Sequence, residues 1–156
     1  MKIALFQPDN PGNVGAILRL GACFAVTVEI IGPVGFPFDR RIIRRVALDY
    51  IDHVNIQHYA TWKEFLSTYN MKNDRIILLS TKAAKSYDKL LFSTSDTILL
   101  GQESAGVPSE VHSAVDESVR IPLDSKTRSL NVTSACAIVL GEALRQTSTF
   151  PGEGHD

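Results

Sequence analysis

Two short runs constrain the fold more than anything else in this chain: residues 76–80 (IILLS) and 97–100 (TILL). Strand-length runs that are apolar throughout, without in-and-out alternation, are the pattern of parallel strands covered on both faces. Residues 2–7 (KIALFQ), 26–31 (VTVEII), 54–58 (VNIQH) and 119–122 (VRIP) read as further strands. Helical spacing separates them. Val14, Ile17, Leu18 and Gly21 share one face of a first helix, and Trp62, Phe65, Leu66 and Tyr69 share a face within residues 60–70. A short helix is expected over 109–114. Strands alternate with helices, no segment repeats, and no low-complexity linker divides the chain. The expectation is one α/β domain over residues 1–156: an open, mostly parallel sheet with helices on both faces. The polar tail after Arg145 is expected to fray, with 147–156 flexible.

Ligands of such sheets bind beyond the carboxyl ends of the strands, so the loops at 81–83, 101–106 and 123–130 are expected to converge. The middle loop carries Gly101 and Gly106 for close backbone approach and one acid, Glu103. Asn13 is placed as N-cap of the first helix. Arg19 lies off that helix's apolar face, from where its guanidinium can reach back towards the loop; a solvated surface arginine is an equal alternative. The last loop opens into a helix with Val132, Ala135, Cys136, Val139, Leu140, Ala143 and Leu144 on one face. Ser129, Asn131, Thr133 and Ser134 crowd its start, where side-chain oxygens satisfy N–H groups left unpaired in a first turn.

A net charge of −1 means that any nucleic-acid site is a local patch. Asp39 is placed as cap of a helix bearing Arg40, Arg41, Arg44 and Arg45, whose crowded charges suit either a polyanion or a solvated face. Cys23 and Cys136 sit inside apolar helical patterns, and the four histidines lack ligand spacing, so neither a disulfide nor a metal site is expected. No leader is recognisable, and no apolar run approaches the ~18 residues of a membrane span. A cytoplasmic location follows as an expectation. Dinucleotide, phosphate-loop, zinc-protease and serine-hydrolase signatures are absent. What is left is a pocket edged by Glu103, Arg19, Asn13, Arg128 and Ser129, suited to a polar organic cofactor and to group transfer by positioning.

Three segments resemble the SPOUT class of RNA methyltransferases, in its ribose 2′-O branch. They are Asn13-Val-Gly-Ala-Ile-Leu-Arg19, Leu99-Leu-Gly-Gln-Glu-Ser-Ala-Gly-Val-Pro108, and Ile121-Pro-Leu followed by Ser129-Leu-Asn-Val-Thr-Ser-Ala135. Their order and spacing carry the resemblance across nearly the whole chain. Gly35-Phe-Pro-Phe-Asp39, the arginines after it and Leu48-Asp-Tyr50 are similar to one subfamily, the tRNA (cytidine-34/uridine-34) 2′-O-methyltransferases of the anticodon wobble position. The resemblance implies a C-terminal deep trefoil knot and a homodimer whose active site uses both subunits. It implies S-adenosyl-L-methionine held by Leu79, Thr81, Gly101, Glu103, Ile121, Pro122, Ser129, Leu130 and Ala135, with S-adenosyl-L-homocysteine as product. Arg19, Asn13, Glu103, Ser129 and Asn131 match its catalytic and architectural positions, with Glu103 expected to pair with Arg19 or Asn13. Arg40, Arg41, Arg44, Arg45 and Arg128 would meet the tRNA anticodon stem-loop. A guanidinium is almost always protonated, so Arg19 suits a clamp better than a base. Two departures stand out: Gly141 where an aromatic is common, and Gln102 where a proline is common. An rRNA or other tRNA position, or a non-catalytic RNA-binding module, are the competing readings.

Overall fold

Strand β1 (Lys2–Phe6) sits inside the sheet, with Ile3 and Leu5 turned to one core and Ala4 and Phe6 to the other, as a period of two dictates. The computed structural model describes residues 1–69 and 73–152, without the Arg40 side chain; Asn70, His155 and the tail from 153 lie outside this set. Six further strands follow: β2 (Thr27–Ile31), β3 (Ile56–Tyr59), β4 (Arg75–Leu79), β5 (Lys85–Ser86), β6 (Asp96–Leu100) and β7 (Glu117–Arg120). Their order is β3-β2-β1-β6-β4-β7-β5, and every ladder is parallel. This is the α/β sheet expected from the alternation. β5 is two residues long and has no signature of its own in sequence.

Helices α1 (Pro11–Cys23), α2 (Arg40–Ala47) and α5 (Val132–Thr147) share one core with the sheet, through Ile17, Ile43 and Val139 among others. Helices α3 (Trp62–Ser67) and α4 (Ser109–Ala114) supply Trp62, Phe65 and Val111 to the second core on the opposite face. α1 and α2 cross closely because Gly15 has no side chain: a Cβ there would stand 2.6 Å from Val46 Cβ. Asp39 caps α2 as expected, accepting from Arg41 N at 2.6 Å.

The first helix is capped differently from expectation. Asn10, not Asn13, is the N-cap, with Oδ1 accepting from Gly12 N at 2.9 Å and Asn13 N at 3.3 Å. Pro11 is the reason: it has no N–H to satisfy and its φ suits the first helical position, so the cap falls on the residue before it. β7 begins and ends two residues earlier than the expected 119–122, and Ile121-Pro122 already belong to the loop. At the C-terminus α5 continues through Gln146 and Thr147, and Phe150 packs edge-on to Phe24 at 5.9 Å, so the chain up to Phe150 is tied to the core.

Candidate functional site

β4, β6 and β7 are neighbours or next neighbours in the sheet, so their carboxyl ends deliver three loops to one place. These loops and the start of α5 enclose a cavity of about 750 Å³. Leu79, Gly101, Ile121, Leu130 and Ala135 give it apolar walls; Thr81, Glu103, Arg128 and Ser129 give it polar ones. Of the residues expected to hold a cofactor, Pro122 alone is not on the lining, which passes from Ile121 to Leu123. Sequence reasoning missed the far wall, where Ser109, His112 and Ser113 of α4 and Lys82 take part. The spacing i, i+3, i+4 of those α4 residues was the available signal.

The 101–106 loop closes on itself. Gln102 N donates to Gly106 O at 2.9 Å and Gly106 N returns to Gln102 O at 2.8 Å. Gly106 takes φ +69, and a Cβ on Gly101 would lie 2.7 Å from the Gly106 backbone, so both positions require glycine. Beside this loop, three side-chain bonds tie distant segments. Asn10 Nδ2 donates to Glu103 Oε2 at 3.2 Å, Ser104 Oγ donates to Asp9 Oδ2, and Asn131 Nδ2 donates to Asn13 Oδ1 at 3.1 Å. Glu103 is thus held by Asn10, and not by Arg19 or Asn13 as expected. Asn131 also caps α5, accepting from Thr133 N at 2.9 Å and Ser134 N at 3.3 Å.

Asn13 Nδ2 and Thr133 Oγ1 are buried and have no hydrogen-bond partner among the described residues. Asn13 borders a void of about 20 Å³ between its own loop, Gly101, Glu103 and Val132. Unpaired buried donors are costly, and they concentrate where a polar group has to be received. Arg19 is not on either cavity. It is exposed, and its guanidinium carbon stands 5.0 Å from the centre of the Tyr50 ring, a cation–π arrangement in place of the reach towards the loop. Of the four arginines of α2, Arg44 forks onto Asp52 with both bonds at 2.7 Å, while Arg41 and Arg45 are exposed. The Arg40 side chain lies outside the described residues. Cys136, fully buried, has its thiol pushed up to about 12 by desolvation, which removes it as a nucleophile. Among the described residues no three His, Cys, Asp or Glu gather as a metal site, and no helix is long and apolar enough to cross a membrane.

The comparisons agree with this geometry. Residues 1–141 match the family described as SpoU rRNA Methylase. A tRNA (cytidine(34)-2′-O)-methyltransferase of Beijerinckia indica subsp. indica is 47% identical over 148 residues, spanning 95% of this chain and 92% of the relative. A solved structure reported as insight into the 2-OH methylation of C/U34 on tRNA superposes with a TM-score of 0.88 at 30% identity, over 93% of this chain and 94% of that one. An AdoMet-bound rRNA methyltransferase from Sinorhizobium meliloti superposes with a TM-score of 0.82 at 25% identity, over 92% of this chain and 55% of that one. With a family match over nine-tenths of its length and a near full-length relative sharing almost half its residues, the chain belongs to the SpoU methylase family.

Proposed function

We propose that this chain transfers a methyl group from S-adenosyl-L-methionine to the ribose 2′-OH of the tRNA wobble nucleotide, a cytidine or modified uridine. The observation that carries the reading is the coincidence of the cavity with the family's three motifs, in a chain aligned end to end with a curated wobble methyltransferase. The residues present fit the cofactor. The cavity is of ligand size, its apolar walls suit an adenine, and the backbone packing of Gly101 against Gly106 leaves main-chain groups at its edge. Leu79, Gly101, Ile121, Ser129, Leu130 and Ala135 would hold it. When bound, it supplies an electrophilic sulfonium methyl.

This chain's own residues have a positioning task, because a ribose hydroxyl attacks such a methyl once it is aligned and desolvated. Glu103, fixed by Asn10, and Asn131, fixed by Asn13, hold the two loops that shape the opening. Arg128 and Ser129 stand on its rim. Arg19 is a permanent cation outside its own cavity, which supports a site shared between two subunits: Arg19 of one would clamp a phosphate or orient the hydroxyl at the other's cavity. An exposed apolar position on α5, Ile138, and the open space beside Gly141 support a second copy packed there. The position of β7 between β4 and β5, which are consecutive in the chain, supports a C-terminal segment threaded through the 80–95 connection as a deep trefoil knot.

The test is methyl transfer from labelled S-adenosyl-L-methionine to tRNA lacking wobble ribose methylation, with rRNA as the parallel substrate and the modified position mapped. Label on the wobble ribose is expected. Label on rRNA or elsewhere on tRNA overturns the substrate, and absence of cofactor binding overturns the reaction.

A further inference from the structure

The chain has seven phenylalanines, and among the described residues only Phe38 is exposed, at 38% of its surface. A single exposed apolar side chain is ordinary. Phe38 is distinguished by its surroundings. Its ring centre lies 4.8 Å from that of His58, itself exposed on β3 at the edge of the sheet, and 6.3 Å from that of Phe36. Phe38 immediately precedes Asp39, the cap of α2, so this aromatic surface adjoins the helix that carries the exposed Arg41 and Arg45.

The loop bearing Phe38 is also joined to the site already described. Gly35 N donates to Pro8 O at 2.9 Å, and a Cβ on Gly35 would stand 3.1 Å from Asp9. Asp9 and Asn10 in turn hold Ser104 and Glu103 at the cavity. A rigid run of contacts therefore links the cavity to an open aromatic surface flanked by cations. That pairing suits single-stranded nucleic acid, whose bases stack on rings while guanidinium groups take the phosphates. An apolar protein surface is a poorer match, because covering Phe38 would desolvate the adjacent arginines.

We propose that Phe38, backed by His58, is a stacking platform for one unpaired base of the RNA substrate, outside the nucleotide that is methylated. The inference rests on the wobble-methylation reading and specifies how that RNA is held. Phe38→Ala and Phe38→Trp are compared with wild type for binding to an anticodon stem-loop RNA, at several salt concentrations, and for binding to S-adenosyl-L-methionine. Phe38→Ala is expected to lose roughly ten-fold in RNA affinity, the scale of one base–aromatic stack. Its salt slope should match wild type, because stacking releases no counterions. Phe38→Trp should retain affinity, and cofactor binding should be unchanged in both. Loop RNAs made abasic one position at a time should include one that weakens wild type and leaves Phe38→Ala unaffected. RNA binding by Phe38→Ala equal to wild type overturns the platform, as does equal sensitivity of the two proteins to every abasic RNA. A wild-type protein that neither binds nor methylates the stem-loop overturns the wobble reading itself, and the platform with it.

Discussion

Asn10 works in two directions at once. Its Oδ1 closes the first turn of α1 and its Nδ2 restrains Glu103 across 93 positions of sequence. Asn10→Ala should lower stability by about 1 kcal/mol, the value of a helix cap, in urea or thermal unfolding. It should also weaken cofactor affinity, because Glu103 then moves freely; an Asn10→Ala protein with wild-type affinity would separate the cap from the site. Arg19 carries the opposite expectation. Arg19→Ala should abolish methyl transfer while leaving cofactor affinity nearly intact, since it lies on neither cavity of its own chain. A fully active variant would remove Arg19 from the mechanism. These two residues show how far sequence alone reaches. Helical spacing placed Arg19 off the buried face, but Tyr50, which its guanidinium meets, is brought there by tertiary packing of the turn after α2 against α1. The motif around Asn13 was legible; the shift of the cap to Asn10 depended on the weight given to Pro11, and Glu103's partner depended on a bond with no local signature.

At the scale of elements, α2 and α5 make separable predictions. Reversing charge at Arg41 and Arg45 should weaken tRNA binding and flatten its dependence on salt, by about 0.9 in log–log slope for every phosphate that is no longer neutralised. Unchanged binding would return both to plain solvated positions. Arg44 is excluded from that pair because it is committed to Asp52. On α5, a Cβ at Gly141 would meet nothing within 4 Å. Gly141→Ala should therefore stabilise the isolated chain by roughly 0.5–1 kcal/mol through helix propensity, read by urea unfolding. Loss of stability instead would mean that the open space is filled by another subunit. Helix faces were the best-read feature of the sequence, because burial imposes a period of 3.6 that a solvent-facing residue cannot imitate: Val139, Leu140, Ala143 and Leu144 are all buried. Strand ends were read less well, as β7 shows, because an apolar run does not record where its last ladder bond falls.

At the scale of the whole molecule, alternation of strands and helices was enough for a parallel sheet, and not for the order of its strands. Each apolar run carries the same signature whichever neighbour it pairs with, so nothing local reveals that β6 enters between β1 and β4. A shared active site predicts a solution mass twice the 17.1 kDa of one chain by light scattering, with methyl transfer falling on dilution as subunits part. A monomer active at all dilutions would confine the chemistry to one chain. The position of β7 has a consequence for synthesis on the ribosome. Among the described residues β5 pairs only with β7, and the cavity needs both the loop after β7 and the start of α5, so its walls are completed by chain that is translated last. A nascent chain stalled before Glu117 already carries β1, β6 and β4 side by side, yet has nowhere to seat a cofactor. Truncated translation products of this protein should therefore be silent as ligand binders, leaving no partly made competitor for the methyl donor in the cell.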